Sequence, residues 1–187
     1  MTDLDVAASV ADQIDRHWTG RLRPRLSGLT DQEYLFDPTG GCAWTVHPRT
    51  QQRTPMQAGT GAYVVDFAVP EPVPAPFTTI AWRLAHVVVG ILAVRSHAHF
   101  GGPEASYQEW DYAGTADEAL AQLDRQYARW MRGVRSLSEE DLARPCGPAE
   151  GPHAELPMLA LVLHINRELI HHGAELALLR DLHAHTR

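Results

Sequence analysis

Apolar residues recur at intervals of three and four along four stretches of the chain, which is the spacing of an amphipathic helix. These stretches cover about residues 3–23, 79–102, 115–134 and 157–181. The second is apolar nearly all round, so we expect it to be the most buried. Four amphipathic helices of this length predict an all-α fold, and the long connections after the first and second indicate crossover loops. We expect a single domain over residues 1–187, an antiparallel four-helix bundle with long crossover loops.

Residues that favour helix ends mark the boundaries of these helices. Thr78 or Thr79 is the expected N-cap of the second helix, and Gly101 is expected to end it. Thr115 opens the third helix at the spacing of a capping box. Pro157, a residue favoured in the first helical turn, opens the fourth.

The remaining segments are predicted to be shorter elements and loops. Short helical turns are expected near residues 30–35 and 138–144. The segment 37–76 is rich in Gly, Pro and Thr, which indicates a loop. Within it, residues 63–69 are expected to form a short extended segment.

Polar side chains interrupt the apolar seam of the fourth helix. The seam follows alternating steps of three and four through Met158, Leu161, Ile165, Glu168, His172, Glu175 and Leu179. Glu168 and His172 are four residues apart and therefore lie on one face, one turn from each other. Buried polar groups are costly unless they are paired, and a metal ion suits both a carboxylate and an imidazole.

His86, in the apolar second helix, is the third candidate ligand. If the second and fourth helices are neighbours, His86, Glu168 and His172 converge. Two imidazoles and one carboxylate suit Zn²⁺, Fe²⁺ or Ni²⁺, with positions left open for water or substrate. The alternative is that each side chain is a hydrogen-bonded core residue, with the Glu–His pair only tying helices together.

Three residues near this set have roles that the spacing leaves open. His171 is adjacent to His172, and the a/d spacing favours His172 as the ligand. His164 and Glu175 are candidates for proton transfer. Glu175 alternatively orients a ligand imidazole through the free N–H of the ring.

Composition and charge narrow the classes of partner. The net charge of -7, without a basic stripe, argues against nucleic-acid binding. No apolar run is long enough to span a bilayer and no signal peptide is apparent, so we expect a cytoplasmic protein that acts on a small molecule. Cys42 and Cys146 lie far apart and form no disulfide framework. All 16 basic residues are arginine, which indicates a GC-rich genome.

Two helical motifs resemble the signature helices of a known family. TIAWRLAHV at residues 79–87 and HINRELIHHGAELALLRDL at residues 164–182 are similar to those of the DinB/YfiT-like superfamily. This superfamily of metal-dependent four-helix bundles includes the mycothiol-dependent maleylpyruvate isomerase. The resemblance implies a divalent metal, Zn, Ni or Fe, held by His86, Glu168 and His172. The Glu-x-x-x-His order is that of the isomerase branch, whereas many members carry His-x-x-x-His.

The same resemblance implies a thiol S-transferase or isomerase that acts on a small electrophilic substrate. Mycothiol would be the cosubstrate, since the lysine-free composition fits an actinobacterial protein. The metal would lower the pKa of the thiol, and the thiolate would attack an electrophilic carbon. Two alternatives stay open. One is a non-catalytic metal-binding or dimerising bundle, a homodimer with a stress-related accessory role. The other is a hydrolase that activates water through the same ligands.

Overall fold

The computed structural model describes residues 5–186, and most of them are helical. The helices are α1 (Val6–His17, a π-helical turn Trp18–Leu22, and Arg23–Arg25), α2 (Asp31–Tyr34), α3 (Ile80–His86, a π-helical stretch Val87–Ala93, and Val94–Phe100), α4 (Ala116–Arg135), α5 (Glu139–Ala143) and α6 (Met158–His185), with a 3₁₀ turn at Pro148–His153. The four long helices occur where the apolar spacing predicts them. The predicted start of the first helix, Asp3, lies outside the described residues.

The predicted helix ends agree with the observed caps. The Thr79 hydroxyl accepts the Trp82 N–H at 3.3 Å and begins α3. Gly101 ends the same helix in the left-handed conformation, at a φ of +68°. The Thr115 hydroxyl accepts the N–H of Glu118 at 3.3 Å at the start of α4. Side-chain capping therefore fixes where these helices begin, as the sequence indicates.

The four long helices pack on one another around a shared core. Helix α6 contacts α1 and α3, and α4 contacts α1 and α3 as well. Trp130 of α4 is fully buried, and Trp18 of α1 stacks on Tyr127 of α4 with ring centroids 3.8 Å apart. This packing places the face of α3 that carries His86 against the polar part of the α6 seam. Among residues 5–186, no helix combines the length and the apolar character that a membrane span requires.

Residues 46–67 form a small antiparallel sheet, and the prediction of a purely helical fold was wrong here. The strands are β1 (Val46–Pro48), β2 (Met56–Ala58) and β3 (Tyr63–Phe67), with β3 in the centre. Only β3 corresponds to the extended segment that the sequence predicted. The outer strands are three residues long, and three consecutive residues of β3 are buried, so no apolar alternation marks the sheet. The fold is mostly helical, with this sheet beside α3.

A buried carboxylate fastens the sheet to α3. The Asp66 side chain is 1% exposed and accepts hydrogen bonds from the Thr45 N–H at 2.9 Å and from Nε2 of His47 at 3.1 Å. The Asp66 carbonyl accepts the indole N–H of Trp82 at 2.9 Å. Because Trp82 lies one turn before His86, this network fixes the end of α3 that carries the candidate ligand.

Candidate metal centre

His86 is the last residue of the α-helical first part of α3, immediately before the π-helical stretch. Its ring stacks on Trp82, with centroids 5.7 Å apart and an interplanar angle of 11°. Its Nδ1 lies 2.6 Å from the hydroxyl oxygen of Tyr107. Burial, with smaller contributions from His172 and Arg83, lowers the pKa of His86 to about 4. The imidazole is therefore neutral at neutral pH, as a metal ligand must be.

Gly90 leaves the space through which Tyr107 reaches His86. A Cβ atom at Gly90 would lie 2.0 Å from the Tyr107 hydroxyl oxygen, so no other residue fits without moving the phenol. Burial raises the pKa of Tyr107 to about 12, which keeps the hydroxyl protonated. With Nδ1–H donated to this oxygen, Nε2 of His86 keeps its lone pair. That is the tautomer in which an imidazole binds a metal through Nε2.

His172 is oriented in the same way by a carboxylate on its own helix. It is 7% exposed, and its Nδ1–H donates to Oε2 of Glu175 at 2.7 Å. The same carboxylate oxygen lies 3.0 Å from Nε of Arg83, on α3. Burial opposes ionisation of Glu175, but the His172 hydrogen bond and Arg83 outweigh it and lower the pKa of the carboxyl. Glu175 is therefore an anionic acceptor that engages Nδ1 of His172, so that Nε2 is the nitrogen turned toward Glu168.

The free nitrogen of His172 faces Glu168, and its ring contacts that of His86. Nε2 of His172 lies 3.4 Å from Oε2 of Glu168. The rings of His86 and His172 are perpendicular, with centroids 4.8 Å apart. Two ligand atoms that each lie about 2.1 Å from one tetrahedral metal are roughly 3.4 Å apart. The spacing of the Glu168–His172 pair therefore fits a divalent cation such as zinc. His86 joins this pair through a ring contact, and among residues 5–186 the only group of three donors whose ligand atoms lie within 4.8 Å of one another includes neither His86 nor Glu168.

A second group of donors lies beside the first. Ligand atoms of His171, His172 and Glu175 fall within 4.8 Å of one another. The His171 side chain is 63% exposed, and its Nε2 lies 3.3 Å from Oε1 of Glu175. This group lies on the Nδ1 side of His172, where Glu175 is already engaged by a short hydrogen bond and by Arg83. The two groups therefore use opposite nitrogens of the His172 ring. Because Glu175 is already engaged on the Nδ1 side, we favour the Nε2 side, with Glu168, as the position of a metal ion.

His164 lies next to Glu168 at the solvent edge of the centre. Its Nδ1 is 3.4 Å from Oε1 of Glu168 and accepts a hydrogen bond from Nη2 of Arg167 at 2.7 Å. Its side chain is 39% exposed. A half-exposed imidazole beside the carboxylate of a candidate ligand is placed to exchange protons with solvent. The two cysteines, Cys42 and Cys146, are free thiols.

Sequence reasoning missed Tyr107, which contacts His86, and Arg83, which pairs with Glu175. Tyr107 is 21 residues from His86 in a segment between helices, where no periodicity marks it. In the sequence, Arg83 is a single charged residue in an apolar helix, and nothing near it indicates a partner. The sequence did contain one indication of the Tyr107 contact, which is Gly90. A glycine inside an apolar helix often marks a position where another group approaches closely.

The hydroxyl of Tyr107 can be removed with little change in shape. We expect Tyr107→Phe to weaken zinc binding by about tenfold, because His86 loses the partner that fixes its tautomer and ring orientation. The measurement is competition with a chromophoric chelator. The matched control is Tyr127→Phe, which removes a hydroxyl bonded to Asp15 of α1. Equal zinc affinity in the wild type and in Tyr107→Phe would show that the phenol only packs there.

Comparison with known proteins identifies the family. A sequence model of the DinB superfamily matches residues 13–176, which is most of the chain. No curated protein and no solved structure gives a significant match. The matched region includes His86 and reaches through the Glu168–His172 part of α6. The chain therefore belongs to the DinB superfamily.

Proposed function

We propose that this chain is a metal-dependent thiol S-transferase or isomerase that acts on a small electrophilic substrate. The proposed scaffold is a single antiparallel four-helix bundle, with His86, Glu168 and His172 as the metal ligands. One observation carries the proposal. The rings of His86 and His172 are in contact, and each has its Nδ1 engaged, by Tyr107 and Glu175 respectively. In the proposed site, the two Nε2 atoms would bind one cation together with the Glu168 carboxylate.

The charge of the ligand set favours an anionic reactant. Two neutral imidazoles and one carboxylate leave one positive charge on a divalent cation. A divalent metal bound there would supply a Lewis acid that lowers the pKa of a thiol or of water in an open position. Mycothiol, or another low-molecular-weight thiol, is the proposed cosubstrate. The composition without lysine fits the actinobacterial setting in which mycothiol occurs.

The chain's own residues would orient the ligands and move the proton. Tyr107 and Glu175 fix the two rings, and Arg83 keeps Glu175 ionised. His164 would take the proton released by the incoming thiol at Nδ1 once Arg167, which donates to that nitrogen at 2.7 Å, turns away from it. The half-exposed position of His164 lets it return that proton to solvent or to product.

The proposal is tested by comparing zinc-loaded and metal-stripped protein, purified without a histidine tag. The assay follows conjugation of mycothiol to monobromobimane by fluorescence. We expect zinc-dependent conjugation that saturates with thiol and is lost in Glu168→Ala. The exposed Glu104→Ala variant, on the segment before α4, is the control and should retain the rate.

Two other outcomes would contradict a thiol transferase. Zinc-dependent hydrolysis of p-nitrophenyl acetate, without any acceleration by mycothiol, would indicate that the same residues activate water. Tight zinc binding with neither reaction would indicate a non-catalytic metal-binding bundle.

A further inference from the structure

A cavity of about 610 Å³ is lined in part by His164, the neighbour of Glu168. The 3₁₀ turn Pro148–His153 and the chain after it form one wall, and the first turns of α6 form the other. Leu156 and Leu161 contribute apolar surface. A volume of this size suits a small organic molecule, and mixed polar and apolar walls are typical of ligand sites.

The polar residues of the cavity carry an excess of positive charge. Two arginines, Arg95 and Arg167, line it against one carboxylate, Glu150, and His153 and His164 line it as well. Glu150 is already matched, because its Oε1 lies 3.1 Å from Nε of Arg95 and 2.8 Å from Nε2 of His99. That pairing also fixes the 3₁₀ turn against α3, so the wall is held in place. Because Glu150 is paired with Arg95, the surplus charge of the cavity is that of Arg167, and a cationic group beside a cavity attracts an anion.

Arg167 is the cation whose charge is least compensated. Its Nε lies 3.8 Å from Oε1 of Glu168, and its Nη2 donates to a neutral acceptor, Nδ1 of His164. Its side chain is 69% exposed, so the guanidinium can turn toward a ligand in the cavity. A guanidinium with free N–H groups is suited to a carboxylate, which it binds through two parallel hydrogen bonds.

The cavity and the candidate metal centre share a wall. His164 lines the cavity and lies 3.4 Å from Oε1 of Glu168. Four residues along a helix correspond to about 6 Å. His164 is therefore the residue that connects the cavity with the candidate metal centre, since His86, Glu168 and His172 do not line the cavity.

We propose that this cavity binds the carboxylate end of a small, partly apolar molecule, with Arg167 as the residue that recognises the anion. One part of the inference rests on the proposed function: the other end of the molecule would be the substrate that reacts at the metal centre. Anion binding in the cavity does not itself require the metal.

The test uses 4-phenylbutyrate as the probe, measured by isothermal titration calorimetry on metal-stripped protein. The uncharged 4-phenylbutanamide is the matched ligand. We expect the carboxylate to bind more tightly than the amide, and Arg167→Gln to weaken carboxylate binding by about tenfold. Arg132→Gln, which removes an exposed arginine of α4, should leave it unchanged. Failure of the carboxylate to bind, equal affinity for the two ligands, or unchanged affinity in Arg167→Gln would each overturn the proposal.

A second variant separates this inference from the proposed function. His172→Ala removes a candidate metal ligand but no residue of the cavity. We expect this variant to bind 4-phenylbutyrate like the wild type while it loses zinc. Wild-type protein that binds the carboxylate but not zinc would overturn the proposed metal centre and leave the anion site standing. Loss of carboxylate binding in His172→Ala would contradict an independent anion site.

Discussion

Replacing His172 by alanine is expected to weaken zinc binding on the order of a thousandfold, since one of three protein ligands is lost. Replacing the adjacent His171 is expected to leave zinc affinity nearly unchanged. The two rings belong to neighbouring positions of α6 that differ in environment: His172 is buried against His86, whereas the His171 side chain is 63% exposed. The pair of variants therefore separates the two candidate donor groups.

The measurement is a zinc titration against a chromophoric chelator at one pH, with protein that carries no histidine tag. Circular dichroism of each variant verifies that the helices are intact. An equal loss of zinc affinity in His171→Ala and His172→Ala would contradict the proposed site. It would indicate that the cation lies on the Nδ1 side, with Glu175.

Removal of the buried carboxylate of Asp66 is expected to lower the free energy of unfolding by about 3 kcal/mol. Besides the Thr45 N–H and His47, the hydroxyl of Thr54 donates to this side chain at 3.2 Å, and Nε of Arg53 donates at 3.3 Å. Asp66→Ala leaves the Thr45 N–H and Nε2 of His47, both in buried residues, without their acceptor, and the cost of these unpaired groups is the reason for the large effect.

Urea unfolding followed by tryptophan fluorescence measures this change. Glu71→Ala, in the exposed segment after β3, is the control and should stay close to the wild type. An unfolding free energy within about 0.5 kcal/mol of the wild type for Asp66→Ala would show that water replaces the carboxylate readily.

The helices could be predicted because their signals are local. The three-and-four spacing marks each buried face, and residues such as Thr79 and Gly101 mark ends by their own chemistry. The polar seam of α6 is also visible, because Glu168 and His172 stand at core positions of a single helix. Both lie at the same face as Ile165 and Leu169, which are buried.

The groups that complete the site could not be predicted, because they come from distant segments. Tyr107 meets His86 only after the segment before α4 folds against α3, and Arg83 meets Glu175 across two helices. The sheet was missed because its strands are short and its buried central residues include the charged Asp66. The cavity depends on where the 3₁₀ turn packs, which no local pattern encodes.

Crystals grown with zinc and measured on both sides of the zinc absorption edge would locate the cation directly. We expect one anomalous peak within bonding distance, about 2.1 Å, of Nε2 of His86, Nε2 of His172 and the Glu168 carboxylate. A peak beside His171 and Glu175, with His86 uncoordinated, would contradict the proposed centre.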